Sequence, residues 1–155
     1  MHCLIVVVLL MPAFQLSADQ ENTAVFRLQV KKPSSEVYDA VYKNLEDIRF
    51  YVVFEPDIGE NLARSAEKWG DDYNKNAISV IRSMVFCNGW YANKVSNLDP
   101  DMLGFCPLHL TVTERDGVTT VLFNRPSVIA QKSPAREVFD EIEAEIIAVI
   151  KKSAR

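Results

Sequence analysis

Residues 108 to 124 leave the chain little choice of conformation. Leu108, Leu110 and Val112 alternate with His109, Thr111 and Thr113, the period of a strand with one face buried. Arg115-Asp116-Gly117 follows as a hairpin turn in which Gly supplies the positive φ, and Val118 to Asn124 is the returning strand. Two alternating runs joined this way pair antiparallel. An antiparallel sheet is therefore the frame into which the other segments must fit.

Three further strands are legible. Asn22 to Val30 sets Phe26, Leu28 and Val30 on one face and Arg27 and Gln29 on the other. Tyr51 to Glu55 is β-branched and aromatic, and Ile78 to Phe86 is a third apolar run. Between them lie helices. One begins at a Ser34 or Ser35 cap and runs to about Phe50, striped by Val37, Val41, Leu45 and Ile48. Asp57 and Glu60 have capping-box spacing ahead of Ile58, Leu62, Ala66 and Trp69, with Gly70 as the stop. Asn88 or Gly89 starts a short helix through Tyr91 and Val95, closed at Asp99-Pro100. Ser133 as N-cap and Pro134 at N1 open the last helix, striped by Val138, Ile142, Ile146 and Val149. The expected class is α+β, an antiparallel sheet with helices packed on one face.

The chain has 155 residues, enough for one domain with its own core. Its net charge of −4 argues against nucleic acid, which needs a clustered basic footprint, and against electrostatic docking on anionic lipid. Residues 1–18 carry no Asp, Glu, Lys or Arg, and Leu4 to Met11 is apolar up to Pro12. That run is too short to span a bilayer and fits a signal peptide cleaved after Ala18. The expected mature chain is 19–155, one exported α+β domain, periplasmic or secreted and without a membrane anchor. Cleavage removes Cys3 and leaves Cys87 and Cys106 where disulfides persist.

The chemistry-bearing residues lie between Ser83 and Thr113. Cys87 ends a strand and precedes a helix start, where amides and helix dipole favour a thiolate; as a free cysteine it equally suits a small buried apolar position. Cys106 and His109 stand three apart. With Cys87 they make a Cys₂His set for a soft metal, copper or zinc, or for haem iron. Residues three apart on extended chain face opposite ways, so that set requires a bend at Pro107. The alternation around His109 fits a solvent-facing strand position as well. Cys87, Asn88, Trp90 and Tyr91 could line a small-molecule pocket, although Trp and Tyr at helical spacing are more often core. Asp72-x-Asn74-x-Asn76 imitates a calcium loop, but Ala77 and Ser83 replace the required Gly and Glu, so a solvated turn is expected. No serine–histidine–acid set and no phosphate-cradling glycine loop is present in the sequence.

Phe86-Cys87-Asn88, Tyr91-Ala92, Asp99-Pro100, Pro107 and Glu114 leading to Asp116-Gly117 together resemble the bacterial family known as domain of unknown function 302, over about residues 22–150. The resemblance implies a compact α+β domain of the TATA-binding-protein-like kind (β-α-β-rich-α), commonly a homodimer, and no established reaction. Gly89 stands where the family usually has Pro, and Cys106 precedes Pro107 where the family has Pro-Cys. Cys87 and Asn88 therefore transfer residue by residue, and Cys106 is either a shifted equivalent or an unrelated residue. The expected function is a non-catalytic binding or accessory protein with a small-molecule or metal site around Cys87. Its alternatives are a thiol redox protein cycling Cys87 and Cys106, and an interaction module with a structural disulfide. Cys106 opens a strand that the Asn88–Asp99 segment must return beside the strand ending at Cys87. The two thiols are accordingly expected close together, with Cα atoms within about 7 Å.

Overall fold

The computed structural model describes residues 24–155; the expected signal peptide and the expected start of the first strand at Asn22 lie outside the described residues. The strands are β1 (Val25–Val30), β2 (Tyr51–Phe54), β3 (Val80–Cys87), β4 (Leu108–Arg115) and β5 (Val118–Asn124). The helices are α1 (Ser34–Asp47), α2 (Ile58–Ala63), α3 (Ala66–Trp69), α4 (Gly89–Leu98), α5 (Pro126–Ile129) and α6 (Arg136–Ser153). All five strands form one sheet in the order β1-β5-β4-β3-β2, and every neighbouring pair is antiparallel.

The first two strands thus occupy opposite edges, and α1 carries the chain between them. Its 14 residues extend about 21 Å, close to the roughly 19 Å that separates the outer strands of a five-stranded sheet. α6 lies beside α1 and the two cover one face of the sheet. Val37, Val41 and Leu45 of α1, Ile142, Ile146 and Ile150 of α6, and Met84, Leu110, Val112 and Phe123 of the sheet form the core between the layers. This is the expected α+β arrangement, and the inward set Leu108, Leu110, Val112 and outward set His109, Thr111, Thr113 follow the burial along β4.

Several local expectations are corrected by tertiary contacts. Ser34 does not cap α1 but is its first residue. Its amide donates to Glu114 Oε2 on β4 at 2.8 Å, so the capping acceptor comes from a strand distant in sequence. Bonding to Ser34 holds the Glu114 carboxyl below its ordinary range. At its other end α1 stops before Phe50, because Arg49 takes a positive φ of 67° and the Phe50 amide turns back to Leu45 O at 3.0 Å. The helix expected from Ile58 to Trp69 is two short pieces, α2 and α3, neither with a buried residue. Without a packed face, helical spacing alone does not hold one continuous rod.

The capping contact at Asp57 is as expected, with the Glu60 amide donating to Asp57 Oδ1 at 2.8 Å. Ser133 sits ahead of α6 rather than at its cap: its Oγ accepts from the Ala135 amide at 3.0 Å and donates to Asp99 Oδ2 at 2.6 Å. The segment after β5 contains α5, clamped by buried Glu143, which pairs with Arg125 Nε at 2.7 Å and accepts from the Ser127 amide and hydroxyl. In the polar loop, the Asn74 carboxamide accepts from the Ile78 amide and donates to the Ile78 carbonyl, closing a turn with the groups a cation would need.

Candidate functional site

β3 and β4 end together. Phe86 pairs with Leu108, so Cys87 follows the last residue that β3 pairs with β4 and Cys106 precedes the first residue of β4. The connection between them is α4 and a 3₁₀ turn over Pro100–Phe105. That excursion returns the chain to where it left, and the two Sγ atoms meet at 3.2 Å as free thiols. The expected proximity of the sulfurs holds, for the reason of register.

Both thiols are half-buried and line a small cleft between the sheet end, α4 and α6. Its walls are apolar: Phe50, Phe86, Tyr91, Phe105, Phe139 and Ile142. Phe50 stacks on Tyr91 with ring centroids 5.6 Å apart, and Phe105 meets Phe139 edge-on at 6.0 Å. The cavity they enclose is about 20 Å³, room for about one water. It is the size of an ion and far smaller than a haem macrocycle.

Burial, then the hydrogen bond and charge of Cys87, push the Cys106 thiol up to about 11 from an ordinary 9.0. At neutral pH Cys106 therefore holds its proton. Asn88 caps α4, its Oδ1 accepting from the Trp90 amide at 3.0 Å and the Tyr91 amide at 3.3 Å. Two of the helix's free donors are thus spent on Asn88 rather than left to the neighbouring sulfur. Tyr91 donates to Glu145 Oε1 at 2.9 Å, and desolvation with that carboxylate raises its phenol to about 12. This bond ties the α4 wall of the cleft to α6.

The structure brings Cys87, Asn88, Tyr91 and Cys106 to one cleft. Trp90 is not among them; its side chain is 66 % exposed. His109 is separate too. It points from the opposite face of β4, where its Nε2 meets Asn124 Nδ2 at 3.3 Å, and it lines a neighbouring groove with Pro107 and Arg125. Pro107 does not fold the Cys-x-x-His pair onto one centre, and among the described residues no three His, Cys, Asp or Glu side chains converge for a metal. Sequence reasoning missed Phe50, Met102, Phe139 and Ile142, which reach the cleft from the residue before β2, the 3₁₀ turn and α6. In the sequence, Cys87, Asn88, Tyr91 and Cys106 marked the place.

No curated protein matches the chain. Its fold is similar to that of the crystal structure of an uncharacterized conserved DUF302 protein from Bacillus stearothermophilus, with a TM-score of 0.72 and 21% identity over 85% of this chain and 98% of that one. The family model described as domain of unknown function DUF302 matches residues 26–153, nearly the whole of the described sheet and helices, and the chain belongs to that family.

Proposed function

We propose that this protein is a dithiol redox protein in which Cys87 and Cys106 cycle between thiols and a disulfide. The observation that carries the reading is the 3.2 Å separation of two half-buried thiols. In the oxidative half-cycle, Cys87 attacks one sulfur of an exogenous disulfide and expels its other half as a thiolate, which takes up the Cys87 proton. Cys106 then attacks the Cys87 sulfur of that mixed disulfide. The intramolecular bond closes and the second exogenous thiol leaves with the Cys106 proton. Two electrons pass from the protein pair to the exogenous disulfide. Cys106, held protonated by burial, suits the second step better than the first.

Export belongs to the same proposal, supported by the charge-free apolar start at Leu4 to Met11; an oxidising compartment supplies disulfide partners. Intact mass of the exported protein is expected to place its N-terminus near Asp19, and retention of Met1 would remove that part. The homodimer is supported by β2, an edge strand whose Tyr51, Val53 and Phe54 stay exposed. Sedimentation should return twice the chain mass, and a monomer would count against it.

The redox cycle is tested with an exogenous aromatic disulfide. Wild type should form the intramolecular bond and release two equivalents of aromatic thiol. Cys106→Ser should stop at a stable mixed disulfide on Cys87, and Cys87→Ser should react far more slowly. A wild-type pair that never bridges, or a Cys87→Ser variant that reacts as fast as Cys106→Ser, overturns the reading.

A further inference from the structure

Among the described residues four side chains carry sulfur: Met84, Cys87, Met102 and Cys106. Met84 lies in the core. The other three line one cleft, closed by aromatic rings and with a cavity of about 20 Å³. From this placement we infer that the reduced protein holds a soft monovalent metal ion, of the copper(I) or silver(I) kind, on Cys87, Cys106 and Met102.

Thiolate and thioether donors are the set that selects soft monovalent ions. Zinc prefers four N, S or O ligands, and neither a histidine nor a carboxylate reaches this cleft. Apolar walls at Phe50, Phe105 and Phe139 leave little room for the waters that a harder divalent ion would retain. Methionine in a core is commonly a flexible gap-filler. Here it lines the same cleft as two thiols whose sulfurs lie 3.2 Å apart. Met102 comes from the 3₁₀ turn and Cys106 is the residue that ends it, so this turn and its cap supply two of the three donors and β3 the third. On binding, each cysteine that ligates releases its proton to solvent, the thioether binds as a neutral donor, and no electron is transferred. Oxidation of the pair to a disulfide removes both thiolate donors. Metal binding thus rests on the dithiol reading in one respect only, that the thiols be reduced and reachable.

The test uses the reduced full chain without oxygen, copper(I) supplied as its bicinchoninate complex, and competition as the measure of affinity. One copper(I) per chain should transfer to wild type, none after oxidation to the disulfide. Met102→Leu, close in volume, should weaken binding by about tenfold or more. His109→Ala should leave affinity unchanged. With methyl-labelled methionine and silver(I), the Met102 methyl signal should move and that of Met84 should not. Failure of wild type to take copper(I), an unchanged affinity in Met102→Leu, or a Met102 methyl that ignores silver(I) overturns the inference. Disulfide formation is scored separately. A chain that binds copper(I) through Met102 but never bridges would overturn the redox cycle and keep the metal site.

Discussion

Cys106 carries most of the local chemistry that burial creates. Its thiol rises from 9.0 to about 11 because ionising it would place charge among aromatic rings, next to the sulfur of Cys87. A group whose folded value lies above its unfolded one favours the fold while protonated. The reduced protein keeps that contribution below about pH 9.0 and loses it as pH rises toward about 11. Tyr91, raised to about 12, acts in the same sense at higher pH. We expect the melting temperature of reduced wild type to fall more steeply across this alkaline window than that of Cys106→Ser. Parallel curves would show that the thiol is not desolvated in the fold.

Two elements set the geometry around the site, and each has a position that tests it. The β4–β5 turn places Asp116 and Gly117 at φ of 53° and 71°, the pair of positive angles that a two-residue hairpin turn requires. Gly117→Ala should cost about 1–2 kcal/mol, read from denaturant midpoints with an unchanged slope. Tolerance without loss would mean that the turn relaxes elsewhere. α6 buries Val149, 5 % exposed, against the inner layer. Val149→Asp leaves an unpaired charge or a neutralised acid in that layer and should destabilise by about 3 kcal/mol or more. A near-zero change in melting would show that α6 is peripheral. The same helix presents Phe139 and Ile142 to the thiol cleft, so its loss should also expose both cysteines to alkylation.

At the scale of the whole molecule, the cysteine pair closes a loop between positions 19 apart in sequence. Bridging it should stabilise the fold by about 3 kcal/mol through loop-closure entropy, which for a domain of this size is roughly 6–12 °C in melting temperature. Scanning calorimetry of the oxidised and reduced forms checks this. No difference would mean that strain in the bridged form cancels the entropic gain. The layered architecture tolerates the excursion because the register of β3 against β4 is secured by seven pairs. α4 and the following turn then need only span the end of the sheet.

What the chain's own pattern determined was the set of elements that are periodic and locally terminated. The alternation at Leu108–Glu114, the Asp-Gly turn, the Val138–Ile142–Ile146–Val149 stripe and the Asp57 cap each depend on residues a few positions apart. Their physics is therefore complete within the segment. The strand ending at Cys87, and its meeting with Cys106, followed from the same local reasoning about where two strands stop. The rest required contacts across the chain. Glu114 caps α1 from 80 residues away, which no local signal at Ser34 reveals. Arg49 ends that helix in a conformation that sequence normally assigns to glycine. His109 was kept out of the cleft by the pleat, since the single step from Leu108, which lines it, turns a side chain to the other face of the sheet. Met102 joined the thiols because a 3₁₀ turn without periodic spacing folds back over the sheet end. A cleft assembled from β3, β4, α4, α6 and the 3₁₀ turn exists only once those elements pack, and packing is decided by the whole core.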